Sequence, residues 1–367
     1  MEQPYSDTNA GLHYDLQLTI DPPAKFLAVG GNIAYHSPKN RLERARFYLH
    51  RQLNIQSLSG RRVLGYHYDV SPQTQDIFIS PTNTLDIYFD PPLEDSETAL
   101  IQIEYSGRLT EWPAESSNII STGWSELGSQ LPWFPCQYDG SFQNFTFTLR
   151  VDCPAEYRVA SFGKAIFQDG TWFISWPHQT SDIVVAVSRS LNTIQFESGL
   201  NRVILSSSNL PEKAANQLGE DLLWILERYS GWFGPTRPSE FSLIESPRIF
   251  GGGYTRRGLA VLSGLNERDY FKHRASYLSD LGHGIAHSWW WEADTNTWED
   301  WLNEGLAEYS TLLAIRERFG ADVFENFLDK KRKRIPEALP IWGFDRLNIA
   351  APENMAAVER LLYDRGP

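Results

Sequence analysis

From residue 11 to about residue 190, apolar and polar positions alternate in short runs. HYDLQLTI, GNIAYHS, RARFYLH, DIFIS, TLDIYF, ALIQIEYSG, FTFTLRV, YRVASFG, TWFISW and DIVVAVS are all rich in aromatic and β-branched residues. A period of two puts alternate side chains on opposite faces of a strand, one toward a core and one toward water. Turn-forming clusters separate the runs, among them Asp21-Pro22-Pro23, Ser37-Pro38-Lys39-Asn40 and Gln168-Asp169-Gly170. This regular spacing predicts an antiparallel β-sandwich or a curled antiparallel sheet.

After about residue 190 the period lengthens. Strands are predicted at NTIQFES, RVILSSS and FSLIES, around a helix near Glu212 to Trp232 whose apolar stripe is Leu222, Leu223, Ile225 and Leu226. Gly251-Gly252-Gly253 then interrupts the pattern. Three glycines let main-chain N–H and C=O groups approach an extended ligand, and they also suit a tight turn. Helices are predicted at Phe271 to Glu292, Trp298 to Phe319 and Asp322 to Lys333. The expected fold class is therefore α+β, with an N-terminal β domain over 1–190 and a mixed, mainly helical domain over 191–367, separated by a cleft. A length of 367 residues agrees with two cores. No internal repeat or low-complexity segment is evident.

Composition narrows the function classes. A formal charge of −13 argues against a nucleic-acid partner, which needs clustered Lys and Arg. The one basic run, Lys330-Lys331-Arg332-Lys333-Arg334, reads as a solvated helix end whose cations suit the C-terminal dipole. Cys136 and Cys153 make no disulfide framework and lack metal-pair spacing. No leader sequence is visible at the N-terminus and no run approaches the length of a membrane span, so a cytoplasmic protein without a membrane partner is expected.

Candidate chemistry concentrates in HGIAHSWWWEADTNTWEDWLNEGLAEY, His283 to Tyr309. On a helix, His283 and His287 at i and i+4 project from one face and can share a metal. With Glu304 from the next helical segment they form the open three-ligand set of a catalytic zinc, one Zn²⁺ per chain. In an HExxH helix the residue after the first His is the glutamate general base; here it is Gly284. Gly282 and Gly284 each cost a helix interior about 1 kcal/mol relative to Ala, so packing or a bound metal must hold this segment. Glu308, one turn past Glu304, reads as a solvated helix charge, with support of a ligand from behind as the alternative. Asp280 is likewise read as a surface charge, with a substitute acid as the alternative.

These residues resemble the aminopeptidase N family of gluzincin zinc metallopeptidases. HGIAHSWW followed by WLNEGLAEY carries the resemblance, with a His-to-Glu spacing slightly shorter than is usual in the family. The difference falls around Ala293 to Thr297. Tyr363-Asp364-Arg365-Gly366 is similar to a family motif whose tyrosine donates a hydrogen bond to the oxyanion, which implies that role for Tyr363. The family's Gly-x-Met-Glu-Asn element aligns with Gly252-Gly253-Tyr254-Thr255-Arg256, which implies substrate contact there. Thr255 then replaces the glutamate that grips a free amine. The resemblance further implies a thermolysin-like catalytic domain and a peptide partner. The implied activity is peptide hydrolysis near the substrate N-terminus, impaired or abolished by the missing base. The alternative is a zinc-holding pseudo-peptidase that binds peptides. Trp124, Trp133 and Phe134 are expected in the domain interface, with substrate contact as the alternative. The chain stops four residues after Tyr363, where the family continues into a helical domain, so a truncated relative or a fragment is expected.

Overall fold

The computed structural model describes residues 11–69, 82–112, 117–138, 142–235, 238–248, 253–293 and 299–334. Within them the first strands are β1 (Leu12–Asp21), β2 (Phe26–His36), β3 (Leu42–His50), β4 (Asn54–Gly60) and β5 (Val63–Asp69). Next come β6 (Thr82–Leu93), β7 (Thr98–Arg108), β8 (Ser125–Leu127), β9 (Phe145–Asp152) and β10 (Arg158–Ala160). The run ends with β11 (Ile166–Gln168), β12 (Thr171–Thr180), β13 (Val185–Ser188), β14 (Asn192–Ser198) and β15 (Asn201–Ser207). No helix precedes residue 212 among the described residues.

The largest sheet has the order β11-β12-β9-β1-β2-β7-β4, with smaller sheets β3-β6-β5 and β10-β13-β8. Along β1, Leu12, Tyr14, Leu16, Leu18 and Ile20 are buried while the residues between them are not, as period-two alternation requires. One expectation is corrected: the large sheet is mixed, because β1 pairs with β9 in parallel, His13 opposite Thr146. The antiparallel neighbours of β1 and β9 are β2 and β12 respectively. Where the two groups of strands meet, no tight turn dictates strand direction.

A second group of elements follows: α1 (Glu212–Phe233), β16 (Glu240–Ser246), β17 (Tyr254–Arg256) and β18 (Leu259–Ser263). Then come the helices α2 (Glu267–Lys272), α3 (Arg274–Ala286), α4 (Asp300–Phe319) and α5 (Ala321–Arg334). The sheet here has five strands, β14-β15-β16-β18-β17, where the sequence pattern predicts two or three. β17 and β18 are too short to carry a periodic signal. β15 and β16 pair in parallel, with α1 as the crossover between them. The stripe on α1 is placed as expected, with Leu222, Ile225 and Leu226 buried and Leu223 half-buried.

The helix predicted over 271–292 is divided and shorter. The Asn266 side chain caps α2 by accepting from the Asp269 N–H, and α3 begins after His273. α3 then stops at His287, where the Ser288 and Trp289 N–H groups reach back only three residues, to Ile285 and Ala286. Such i→i+3 closure is typical of a helix end. No helix among the described residues is long and apolar enough to cross a membrane.

Two apolar clusters form the interior. The first gathers side chains from Leu12 to Leu191 and also takes Ile244, Leu259 and Val261; the second runs from Val203 to Ile315. Trp124, Trp133 and Phe134 lie buried in the first cluster. The Trp133 indole donates to the Ile183 carbonyl, and that of Trp124 donates to Glu126. Buried carboxylates stitch the two groups of elements together. Glu126, fully buried, receives Arg248 Nε and the Tyr254 hydroxyl at 3.2 and 3.1 Å. Asp182, 1% exposed, receives Arg256 Nε at 3.0 Å and the Ser129 N–H at 2.8 Å. The two cysteines are free thiols.

Within the helical part, Asp221 of α1 is fully buried. It accepts from Tyr270 at 2.6 Å, from Arg274 at 2.6 and 2.5 Å, and from Arg318 at 2.8 Å, which joins α1 to α2, α3 and α4. Removing one partner of a buried ion pair leaves the others uncompensated. Asp221→Asn should therefore cost about 3 kcal/mol in denaturant unfolding; a loss under about 1 kcal/mol would show that the cluster does not hold the helices together.

Candidate metal centre

α3 carries His283 on its last turn and ends on His287, so the two imidazoles leave the same face. α4 packs against that face and presents Glu304 and Glu308, one helical turn apart. Small residues allow the close approach. A Cβ on Gly282 would stand 3.2 Å from the Tyr229 hydroxyl and 3.6 Å from Thr311 Cγ2.

His283 Nε2 lies 3.0 Å from Glu304 Oε2 and 3.1 Å from His287 Nε2, and His287 Nε2 lies 3.7 Å from Glu304 Oε1. Donor atoms of all three residues fall within 4.8 Å of one another. Tetrahedral zinc with bonds of about 2.0–2.1 Å spaces its ligand atoms about 3.3 Å apart, so the donor set fits that ion.

The far side of each ring is also held. His283 Nδ1–H donates to Glu308 Oε2 at 3.2 Å, and His287 Nδ1–H donates to the Trp290 carbonyl at 2.9 Å. A proton on Nδ1 leaves Nε2 of a neutral imidazole with its lone pair toward the shared point. Glu308 is thus no solvated charge. It is 8% exposed, with Lys331 Nζ 2.5 Å from its other oxygen. Lys331 belongs to the basic run read as a solvated helix end, and on α5 it turns inward. Asp280 is exposed, yet desolvation and the nearby Glu308 raise its pKa against the pull of His283, so it senses the site without lining it.

Burial alone would depress the His283 pKa, but hydrogen bonds to Glu304 and Glu308 outweigh it and raise the value to about 9. Burial dominates at His287 and lowers its pKa. Burial would raise Glu308, yet His283 and Lys331 hold it below the usual carboxylate value.

His287 and Glu304 face a cavity of about 760 Å³. One wall comes from the strand-rich part, including Ser129, Tyr138 and Phe142; the other includes Thr255, Arg257 and Asp300. Arg257 lies 3.7 Å over the Trp291 ring. Asn303 clamps the segment after α3, accepting from Ala293 N–H at 3.1 Å and donating to its carbonyl at 3.0 Å.

Of the residues expected to contact substrate, Thr255 lines this cavity, whereas Gly253 and Tyr254 do not. Tyr254 turns away to Glu126. Gly253 is a glycine because a Cβ there would stand 2.6 Å from the Val261 carbonyl, an approach to the chain's own β18. Gly284 is buried on α3, and a Cβ on it would meet Thr255 Cγ2 at 2.7 Å and Oγ1 at 2.8 Å. Gly252 and the Tyr363–Gly366 motif lie outside the described residues.

A metal must displace the proton that His283 holds up to about pH 9, whereas His287 is already neutral near neutrality. Zinc uptake at pH 7.5 should therefore release about one proton, and apparent affinity should fall about tenfold for each pH unit from about 9 down to neutrality, where His287 is still neutral. Titration calorimetry in buffers of different ionisation enthalpy measures this; uptake without proton release would contradict it. In the metal-free protein the same shift stabilises the fold fully below the ordinary His pKa near 6.5, and that contribution is lost as pH rises through about 9.

No protein-family model and no curated protein matches the chain. Solved structures do. The M1 zinc metallopeptidase from Deinococcus radiodurans aligns with a TM-score of 0.69 at 21% identity, covering 97% of this chain and 81% of that one. A glutamate-to-alanine variant from the same organism, bound to a Tyr-Ser-Ala substrate, aligns with a TM-score of 0.68 at 21% identity and the same coverage. A two-domain M1 zinc metallopeptidase variant bound to L-tryptophan gives 0.68 at 20% identity, again over 97% and 81% of the two chains. The chain has the fold of these M1 zinc metallopeptidases.

Proposed function

We propose that this chain is a zinc-binding protein of the aminopeptidase N type that takes peptides into the cavity and hydrolyses them poorly. One zinc per chain sits on His283, His287 and Glu304. The observation that carries this reading is the convergence of those three donors beside the cavity that His287 and Glu304 line, with both Nδ1 atoms tied back to acceptors. The fold shared with solved M1 zinc metallopeptidases, one of them holding a tripeptide, supports the same reading. On this view 191–367 is a thermolysin-like unit, 1–190 forms the opposite wall of the cleft, and Tyr363 is the oxyanion donor.

Bound zinc supplies a Lewis acid for a carbonyl and an acidified water. The chain's own residues do the rest. Glu308, backed by Lys331, and the Trp290 carbonyl fix the two imidazoles. Gly284 offers no group to take a proton from the water and pass it to the leaving amine, a service typically worth about 10²–10⁴-fold. Thr255 presents a hydroxyl where the resembled family has an amine-gripping carboxylate, which weakens selection for free N-termini.

A second reading, a pseudo-peptidase that holds peptides without cleaving them, is favoured by the lack of room for a side chain at residue 284, where an added Cβ would stand 2.7 Å from Thr255 Cγ2. One experiment separates the readings. Zinc-loaded protein is offered Tyr-Ser-Ala and a panel of aminoacyl amides, with binding followed calorimetrically and products by mass spectrometry. The proposal expects binding that chelator abolishes and turnover about 10²-fold or more below that of a glutamate-bearing enzyme of this fold. Binding without any product selects the second reading, and failure to bind either zinc or peptide overturns both.

A further inference from the structure

We infer that Thr255 of β17 and Gly284 of α3 form one steric unit, in which the threonine fills the space a side chain at residue 284 would enter. Thr255 is thereby a positioning residue of the cavity, since it decides what the neighbouring position on α3 can be. A Cβ added at 284 would stand 2.7 Å from Thr255 Cγ2, 2.8 Å from Oγ1 and 3.3 Å from Cβ. The first two distances lie inside van der Waals contact, so one partner must move.

β17 has little freedom to withdraw. The residues on either side of Thr255 are each tied to a buried carboxylate: Tyr254 to Glu126, and Arg256 to Asp182. On its other side Thr255 is in register with Ala260 of the buried strand β18. Just before it, Gly253 lies directly against the Val261 carbonyl. α3 is no freer, because Arg274 at its start is held on the buried Asp221. The absence of a carboxylate at residue 284 is therefore a two-residue property, and replacing Gly284 alone does not create room for one.

A double-mutant cycle reads this from stability, independently of the proposed function. In a helix interior, Gly→Ala ordinarily stabilises, which would raise Tm by about 2 °C or more. The steric unit reverses the sign. Gly284→Ala should lower Tm by several degrees, as overpacking does, while the same change in a Thr255→Gly background should be neutral or raise it. Should Gly284→Ala fail to fold, recovery of folding in Thr255→Gly/Gly284→Ala, followed by far-UV circular dichroism, carries the same information. A Tm rise for Gly284→Ala beside the native threonine, or equal losses in both backgrounds, overturns the inference.

A further arm rests on the proposed function. Thr255→Gly/Gly284→Glu should hold zinc and cleave aminoacyl amides at least about 100-fold faster than Gly284→Glu alone. If the stability cycle behaves as stated and this gain is missing, the peptidase reading fails while the steric unit stands.

Discussion

The contact between α3 and α4 is the constraint on which the rest of the site depends. His283 can face Glu304 with one nitrogen and Glu308 with the other only because the two helices approach closely. Glycine at residue 282 suits that approach, since an added Cβ there would stand 3.2 Å from the Tyr229 hydroxyl and 3.6 Å from Thr311 Cγ2. The helix-propensity cost of Gly282 is thus offset by packing that brings two carboxylates to one imidazole. The Asp221 cluster holds the same helices from their far side. Helix position, and not any single ligand, fixes the geometry.

A second layer of constraint runs between the strand-rich part and the helical part. Glu126 and Asp182 come from the former; Arg248, Tyr254 and Arg256 come from the latter. Buried carboxylates are costly unless paired, so each fixes its guanidinium in turn. Because these pairs straddle β17, they also fix Thr255, which stands between them. The cavity wall inherits its rigidity from these polar pairs, and Arg256 itself lines the cavity beside Thr255.

Much of this was legible in the sequence where the signal is local. Period-two alternation located the long strands, and the longer period located α1, α4 and α5. His283, His287 and Glu304 were legible because helical spacing and one following helix suffice to bring them together. What escaped depends on distant pairing. The parallel β1–β9 contact joins strands far apart in the chain, and β17 is only three residues long. Glu308 looks like any surface acid until α3 is laid on it, and Lys331 like any member of a cationic run until α5 folds back. The stop of α3 at His287 arises where three consecutive tryptophans must find cover, a tertiary demand that helical periodicity does not carry. That residue 284, beside His283, carries no side chain was legible; that Thr255 stands where one would go was not.

On the proposed function, His283, His287 and Glu304 hold one metal ion through the two Nε2 atoms and a carboxylate oxygen. A crystal of zinc-loaded protein, with anomalous maps recorded above and below the zinc edge, tests it directly. A single strong anomalous peak is expected, with the two Nε2 atoms at about 2.0–2.1 Å and a Glu304 oxygen at about 2.0–2.2 Å, and with Glu308 still on His283 Nδ1. A peak elsewhere, or zinc bound with Glu304 turned away from both imidazoles, would contradict it.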